Sequence, residues 1–225
     1  MKTTVVSPDG TTIGCFQRGL GPALVLLHGT GADASRWARA LPPMEKHFTV
    51  YAVERRGRGA SGDAGAYALE REVEDVLAVL ENIDSAATLL SHSFGGLCAL
   101  EAATRSPHLT RLVLYEPMVG IPVHPPDVID RPRLDAAHTI PRELRAQRSY
   151  EPDPDALRAI RAPVLLLLGG ASPPEVAAAT ERLRAPLPDG RVAILPDQGH
   201  VAMDTAPEAF ARAVLSAEPP FSGRH

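Results

Sequence analysis

The runs Leu24–Leu27, Leu112–Tyr115 and Val164–Leu168 are apolar without interruption, and each stops at a polar or small-residue turn. A half-exposed strand would alternate and a buried helix would need more length, so runs this short are strands covered on both faces. Weaker segments extend the pattern to strands near 3–6, 11–17, 22–27, 48–53, 87–91, 111–115, 163–168 and 191–195. Helical stretches separate most of them. Leu69 to Asn82 places Val73, Val76, Leu77 and Leu80 on one stripe, and Asp33 to Met44 has helical spacing before Pro42-Pro43 interrupt it. Alternation of this kind predicts the α/β class: a mostly parallel, twisted sheet of about eight strands with an antiparallel start and helices on both faces. Any ligand then lies beyond the C-terminal ends of the strands.

With 225 residues and 44% hydrophobic content, the chain is long enough to bury one substantial core, which predicts a single domain over 1–225 with a frayed tail at 218–225. The net charge of −4 supplies no basic field for nucleic acid. Met1 leads into polar residues and no apolar run approaches the ~20 residues of a membrane span, so a cytoplasmic location without membrane contact is expected. Cys15 and Cys98 have no neighbours at metal-ligand spacing. They read as buried free thiols, with neither a disulfide framework nor a metal site.

Three of the strand ends carry chemistry. Leu89-Leu90-Ser91-His92-Ser93-Phe94-Gly95-Gly96 passes from an apolar strand through a small-residue turn into a helix-forming stretch. Such an elbow holds the Ser93 hydroxyl above the sheet with the next backbone N–H beside it. Leu27-His28-Gly29-Thr30-Gly31 offers a second turn of the same kind. The amides of Thr30 and Phe94 are therefore candidate donors to an oxyanion, where losing one donor costs ~3 kcal/mol of barrier. Leu195-Pro196-Asp197-Gln198-Gly199-His200 ends the last strand in a loop able to return His200 to Ser93 as general base.

In this order and spacing the chain resembles the α/β-hydrolase family from about Thr11 to Leu215. Glu54-Arg55-Arg56-Gly57-Arg58-Gly59-Ala60-Ser61-Gly62 is similar to that family's DxRGxGxS loop, with Glu54 in the aspartate position. His200 to Asp204, followed by Pro207-Glu208, resembles the segment joining the histidine to the last helix. The elbow reads SxSxG where the family has GxSxG. The resemblance implies a serine hydrolase that cleaves an ester, thioester or lactone through an acyl-enzyme, without cofactor or metal. It also implies an acid after the penultimate strand, but Gly169-Gly170-Ala171 leads there to Ser172. A serine cannot supply the charge an imidazolium needs. Glu116, at the end of the preceding strand, is the first candidate; Glu175 is the second, and the third alternative is no acid at all.

Alternation fails over 117–160, where prolines at 117, 122, 125, 126, 132, 141, 152 and 154 leave helical character only from His138 to Tyr150. This stretch after the sixth strand is the expected lid. A lid so short implies an open cleft, suited to a bulky or carrier-bound substrate or completed by a second copy in a homodimer, and the expected partner is a small-molecule or carrier-bound acyl compound. Trp37, Met118, His138 and Val201 are the candidate pocket residues; His124 reads as a solvated lid histidine. His28 should brace its glycine turn, His92 should pack, Asp197 should shape its loop, and Arg55, Arg56 and Arg58 should form a structural or surface loop. Two other function classes remain: a non-hydrolytic cyclase or isomerase using the same pocket, favoured by the irregular acid, and a catalytically silent binding protein.

Overall fold

A computed structural model describes residues 1–121 and 134–216. His124 and the tail expected to fray lie outside the described residues. Eight strands form one sheet: β1 (Lys2–Val6), β2 (Thr12–Arg18), β3 (Ala23–Leu27), β4 (Thr49–Val53), β5 (Ala87–His92), β6 (Leu109–Tyr115), β7 (Val164–Gly169) and β8 (Gly190–Leu195). Their spatial order is β1-β2-β4-β3-β5-β6-β7-β8. The β1–β2 and β2–β4 pairs are antiparallel and the remaining pairs are parallel.

The uninterrupted apolar runs are explained by burial on both faces. Val25, Leu27, Leu89, Leu112, Leu114 and Leu166 meet Val73, Val76 and Leu80 of α2 (Leu69–Glu81) and Leu97 and Leu100 of α3 (Gly95–Arg105). The alternate positions Leu24, Leu26, Leu90, Val113, Leu165 and Leu167 face Trp37, Met44, Phe210 and Val214 on the other side. Each fully buried leucine contributes ~2 kcal/mol of hydrophobic stabilisation before conformational entropy is counted. Among the described residues no helix is long and apolar enough to cross a membrane.

The helix expected over 33–44 is instead a 3₁₀ turn, Ala34–Trp37, followed by the short α1 (Leu41–Met44). The Asp33 side chain accepts the Ser35 N–H at 2.8 Å and starts the first piece. Pro42 and Pro43 begin α1 rather than interrupt a longer helix, because a first-turn residue has no helical partner for its N–H to lose. In the described part of the stretch 117–160, α4 (Ile140–Ser149) matches the predicted helical stretch, and a second helix, α5 (Pro154–Arg158), follows. Beyond it come α6 (Pro174–Arg184), α7 (Ala202–Thr205) and α8 (Pro207–Ser216).

Candidate active site

From β3 the chain crosses to β4 on one side and returns to β5 on the other, so the sheet's switch point opens between the loops after β3 and β5. Those loops carry Gly29-Thr30-Gly31 and Ser93. Ser93 has φ 56°, a left-handed conformation that only a tightly determined turn imposes on a side-chain-bearing residue. Its N–H extends the β5–β6 ladder by donating to the Tyr115 carbonyl at 3.1 Å, and Gly96 N–H donates back to the Ser93 carbonyl at 2.9 Å. Close approach requires glycine across the crevice: a Cβ at Gly29 would stand 2.8 Å from the Ser93 Cβ. Phe94 N–H lies at the N-terminus of α3, where the helix dipole favours negative charge. Neither this amide nor that of Thr30 donates to a protein acceptor among the described residues.

The β3 loop is held by buried charge. Arg55, Arg56 and Arg58, expected on a structural or surface loop, are almost wholly buried, because each finds acidic or carbonyl partners inside. Arg55 forms a fork with Glu72 through Nε at 2.8 Å and Nη2 at 2.7 Å, and reaches Glu143 of α4 at 3.2 Å. Arg58 also pairs with Glu143. The remaining nitrogen of Arg55 donates to the Gly29 carbonyl at 3.2 Å, and its guanidinium lies 4.7 Å over the Phe94 ring. Since the Gly29 carbonyl and the Thr30 N–H belong to one peptide plane, fixing one end fixes the other. His28 braces the same carbonyl through Nδ1 at 3.0 Å while its Nε2 accepts the Arg55 N–H at 3.2 Å. Burial and the nearby Arg58 and Arg55 hold the His28 pKa well below its ordinary value, so it braces without titrating near neutrality.

On the other side, strand ends converge on a carboxylate. Glu116 directly follows β6, has φ 43° and no exposed surface. Its Oε2 meets His200 Nδ1 at 2.7 Å. Its Oε1 accepts the Gly169 N–H at 2.8 Å and the Ser172 hydroxyl at 2.5 Å. Ser172, in the position where the resemblance expected an acid, thus serves the acid from the neighbouring strand. Burial pushes the Glu116 pKa up, but the hydrogen bonds from His200, Ser172 and Gly169 outweigh it and hold the carboxyl below its ordinary value. A Cβ at Gly169 would stand 2.9 Å from Glu116 Oε1, so glycine is needed there too. Glu175 is exposed in the first turn of α6, and Asp197 is exposed with φ 58°, which bends the loop that delivers His200.

The remaining pocket candidates fare differently. Trp37 is a correction: it has no exposed surface and packs on Phe210 with ring centroids 6.2 Å apart, making it core rather than pocket wall. His138 is exposed, and its ion-pair partner is Asp63 at 3.8 Å rather than any group of the Ser93 cluster. Met118 is half-buried just beyond Glu116, and its carbonyl accepts from Gln147 of α4 at 2.8 Å. Val201 is half-buried beside His200 and packs against the core. Sequence reasoning missed His92 and Tyr115. The His92 Nε2 contacts the His200 carbonyl at 2.8 Å, its ring lies 4.5 Å from the His200 ring, and the Tyr115 hydroxyl donates to the Gly199 carbonyl. Their signal was an imidazole and a phenol at the ends of otherwise apolar strands, where a buried polar tip needs a partner.

Known proteins resemble this chain in fold and in sequence. The fold is that of an alpha/beta hydrolase from Sphaerobacter thermophilus: TM-score 0.83 and 28% identity, covering 95% of this chain and 99% of that one. An esterase from Exiguobacterium antarcticum has the same fold with TM-score 0.83 at 20% identity, covering 96% of this chain and 98% of that one. A pimeloyl-(acyl-carrier protein) methyl ester esterase of Photobacterium profundum is 39% identical over 105 residues, 46% of this chain and 40% of that protein. A pyrrolizixenacetamide deacetylase of Xenorhabdus hominickii is 29% identical over 163 residues, 69% of this chain and 53% of that protein. The chain thus spans about half, or less, of the length of these curated relatives. Residues 24–153, more than half of the chain, match the alpha/beta hydrolase family, and the protein belongs to it.

Proposed function

We propose that this protein is a serine hydrolase acting on an ester, thioester or lactone through an acyl-enzyme. The observation that supports the reading is the 2.7 Å contact between His200 Nδ1 and the buried Glu116 carboxylate, with the His200 carbonyl 2.8 Å from His92 Nε2, next to Ser93 at φ 56°. A carboxylate only accepts, so Nδ1 carries the proton and Nε2 presents its lone pair. Ser93 Oγ attacks the substrate carbonyl while His200 Nε2 takes its proton. The carbonyl oxygen becomes an oxyanion between the Thr30 and Phe94 amides, and Glu116 stabilises the imidazolium. Breakdown of the tetrahedral intermediate expels the alcohol or thiol, which takes the proton from His200. Water then attacks the acyl-Ser93 ester, gives a proton to His200, and releases the acid as that proton returns to Ser93. The scheme needs neither cofactor nor metal.

A fluorophosphonate probe tests the mechanism, with one label per chain expected by intact mass and none in Ser93→Ala. A folded protein that stays unlabelled removes the reading and leaves the cyclase or binding-protein alternatives. Carrier-bound methyl esters, the substrate class in the Photobacterium relative's name, head the substrate panel, followed by thioesters and lactones of graded size.

A further inference from the structure

His200 sits in a loop, Pro196–Val201, that has no regular structure of its own between β8 and α7. Three successive carbonyls in it are nevertheless gripped from three different directions. The Gln198 carbonyl accepts the Ala171 N–H from the turn after β7 at 2.8 Å. The Gly199 carbonyl accepts the Tyr115 hydroxyl from the end of β6, and that hydroxyl also accepts the Ala202 N–H at 3.2 Å. The His200 carbonyl accepts from His92 Nε2 at the end of β5 at 2.8 Å. His92 and Tyr115 are paired directly across the β5–β6 ladder, with rings 5.6 Å apart at 28°. Each immediately precedes a residue of the proposed machinery, His92 before Ser93 and Tyr115 before Glu116. The two strand ends that aim the nucleophile and the acid thereby also hold the main chain of the base.

We propose that His92 and Tyr115 are positioning residues that fix the His200 imidazole relative to Ser93 and Glu116. The inference rests on the serine hydrolase reading above. A carbonyl only accepts, so His92 carries its proton on Nε2, and its Nδ1 is a bare nitrogen, buried and without a partner among the described residues, 3.2 Å from where a Gly29 Cβ would be. Burial, then the proximity of His200 and Arg36, lowers its pKa well below the ordinary value. His92 therefore remains neutral beside an imidazole that becomes cationic in each acyl-transfer step. A second cation there would repel it.

The test compares Tyr115→Phe, which deletes only the hydroxyl, with His92→Phe, which keeps a ring but removes the donor, and His92→Gln, which restores an N–H donor. Displacing a catalytic group by about an ångström costs up to ~10²-fold. For each deletion a fall in kcat on the order of 10-fold is expected with KM within about two-fold, since the substrate contacts are untouched. The downfield Nδ1–H proton resonance of His200 should broaden in both deletions, and His92→Gln should recover part of the turnover lost in His92→Phe. Folded deletion variants with wild-type kcat and a sharp resonance, but a lower melting temperature, would show purely structural residues and overturn the inference. Equal loss in His92→Gln and His92→Phe would overturn the role of the donor. These outcomes are distinct from failure of the hydrolase reading, which appears in the wild type as absent labelling of Ser93.

Discussion

The loops after β3 and β8 both reach the end of β5, the first beside Ser93 and the second at His92, yet the first is held by a buried ion network and the second mainly by hydrogen bonds from uncharged groups. Arg55, Arg58, Glu72 and Glu143 balance their charges out of water, with side-chain exposures of 2% or less. The histidine loop relies on Tyr115, His92 and the Ala171 amide, with Glu116 as its buried charged partner. A neutral hydrogen bond contributes about 1 kcal/mol net, and water can replace it where the loop is half-exposed. A desolvated charge tolerates no loss of partner, because the survivor stays in a medium that cannot solvate it. The β3 side is thus the less tolerant of a lost partner, and α4 is bound into it through Glu143.

The largest expected effect falls on the buried charge that meets His200. On the proposed mechanism, Glu116→Gln keeps the shape but removes the charge that would fix the His200 tautomer and stabilise its imidazolium. A fall in kcat of ~10³–10⁴ is expected, with KM little changed. Steady-state kinetics on any responsive ester measures it, and a loss of only a few-fold would remove Glu116 from its role.

Stability should rank the two sides. Glu143→Leu leaves Arg58 and part of Arg55 uncompensated in the interior, and a loss of ~3–5 kcal/mol is expected in urea unfolding. Tyr115→Phe should cost less, ~1–2 kcal/mol, because it frees the partly exposed Gly199 carbonyl and the buried Ala202 N–H but leaves no charge unpaired. If the two variants unfold at the same urea concentration with the same slope, the contrast between charge-held and neutral-held loops is wrong.

How far each side could be read in the sequence follows from the same contrast. Strands were legible because burial on both faces forbids polar residues, and Ser93 was legible because its turn demands small neighbours. Glu116 could be named because an acid at the end of an apolar strand has few structural reasons to be there. Arg55 could not be read as buried: its partners lie 17 and 88 residues away, and a run of arginines looks the same on a surface as in an ion network. His92 meets its acceptor 108 residues further on, so its role depended on a fold not yet assembled. Trp37 was misassigned because an aromatic ring has the same pattern in a core as in a pocket wall.

Acid should weaken the two sides alike, through histidines rather than through the ion network. Burial is the main cause that holds both His28 on the β3 side and His92 on the β8 side far below the ordinary imidazole value of 6.5. Above that pH neither the folded nor the unfolded chain binds a proton at these rings, and the contribution to stability is fully present. Below it the unfolded chain takes up protons that the folded chain refuses, so stability falls as pH falls, by up to ~1.4 kcal/mol per unit for each ring. Glu72 and Glu116, whose carboxyls are held below the ordinary value of 4.5, lose their contributions only further down. Urea unfolding between about pH 7.5 and pH 5.5 isolates the histidine window. A slope reduced by one proton is expected in His28→Gln and again in His92→Gln, and a wild-type stability that stays flat across that interval would mean that the two rings accept protons in the folded chain. That result would also undo the assignment of His92 as a neutral donor, since on the proposed mechanism a cation at that position would push against the His200 imidazolium each time Ser93 is acylated.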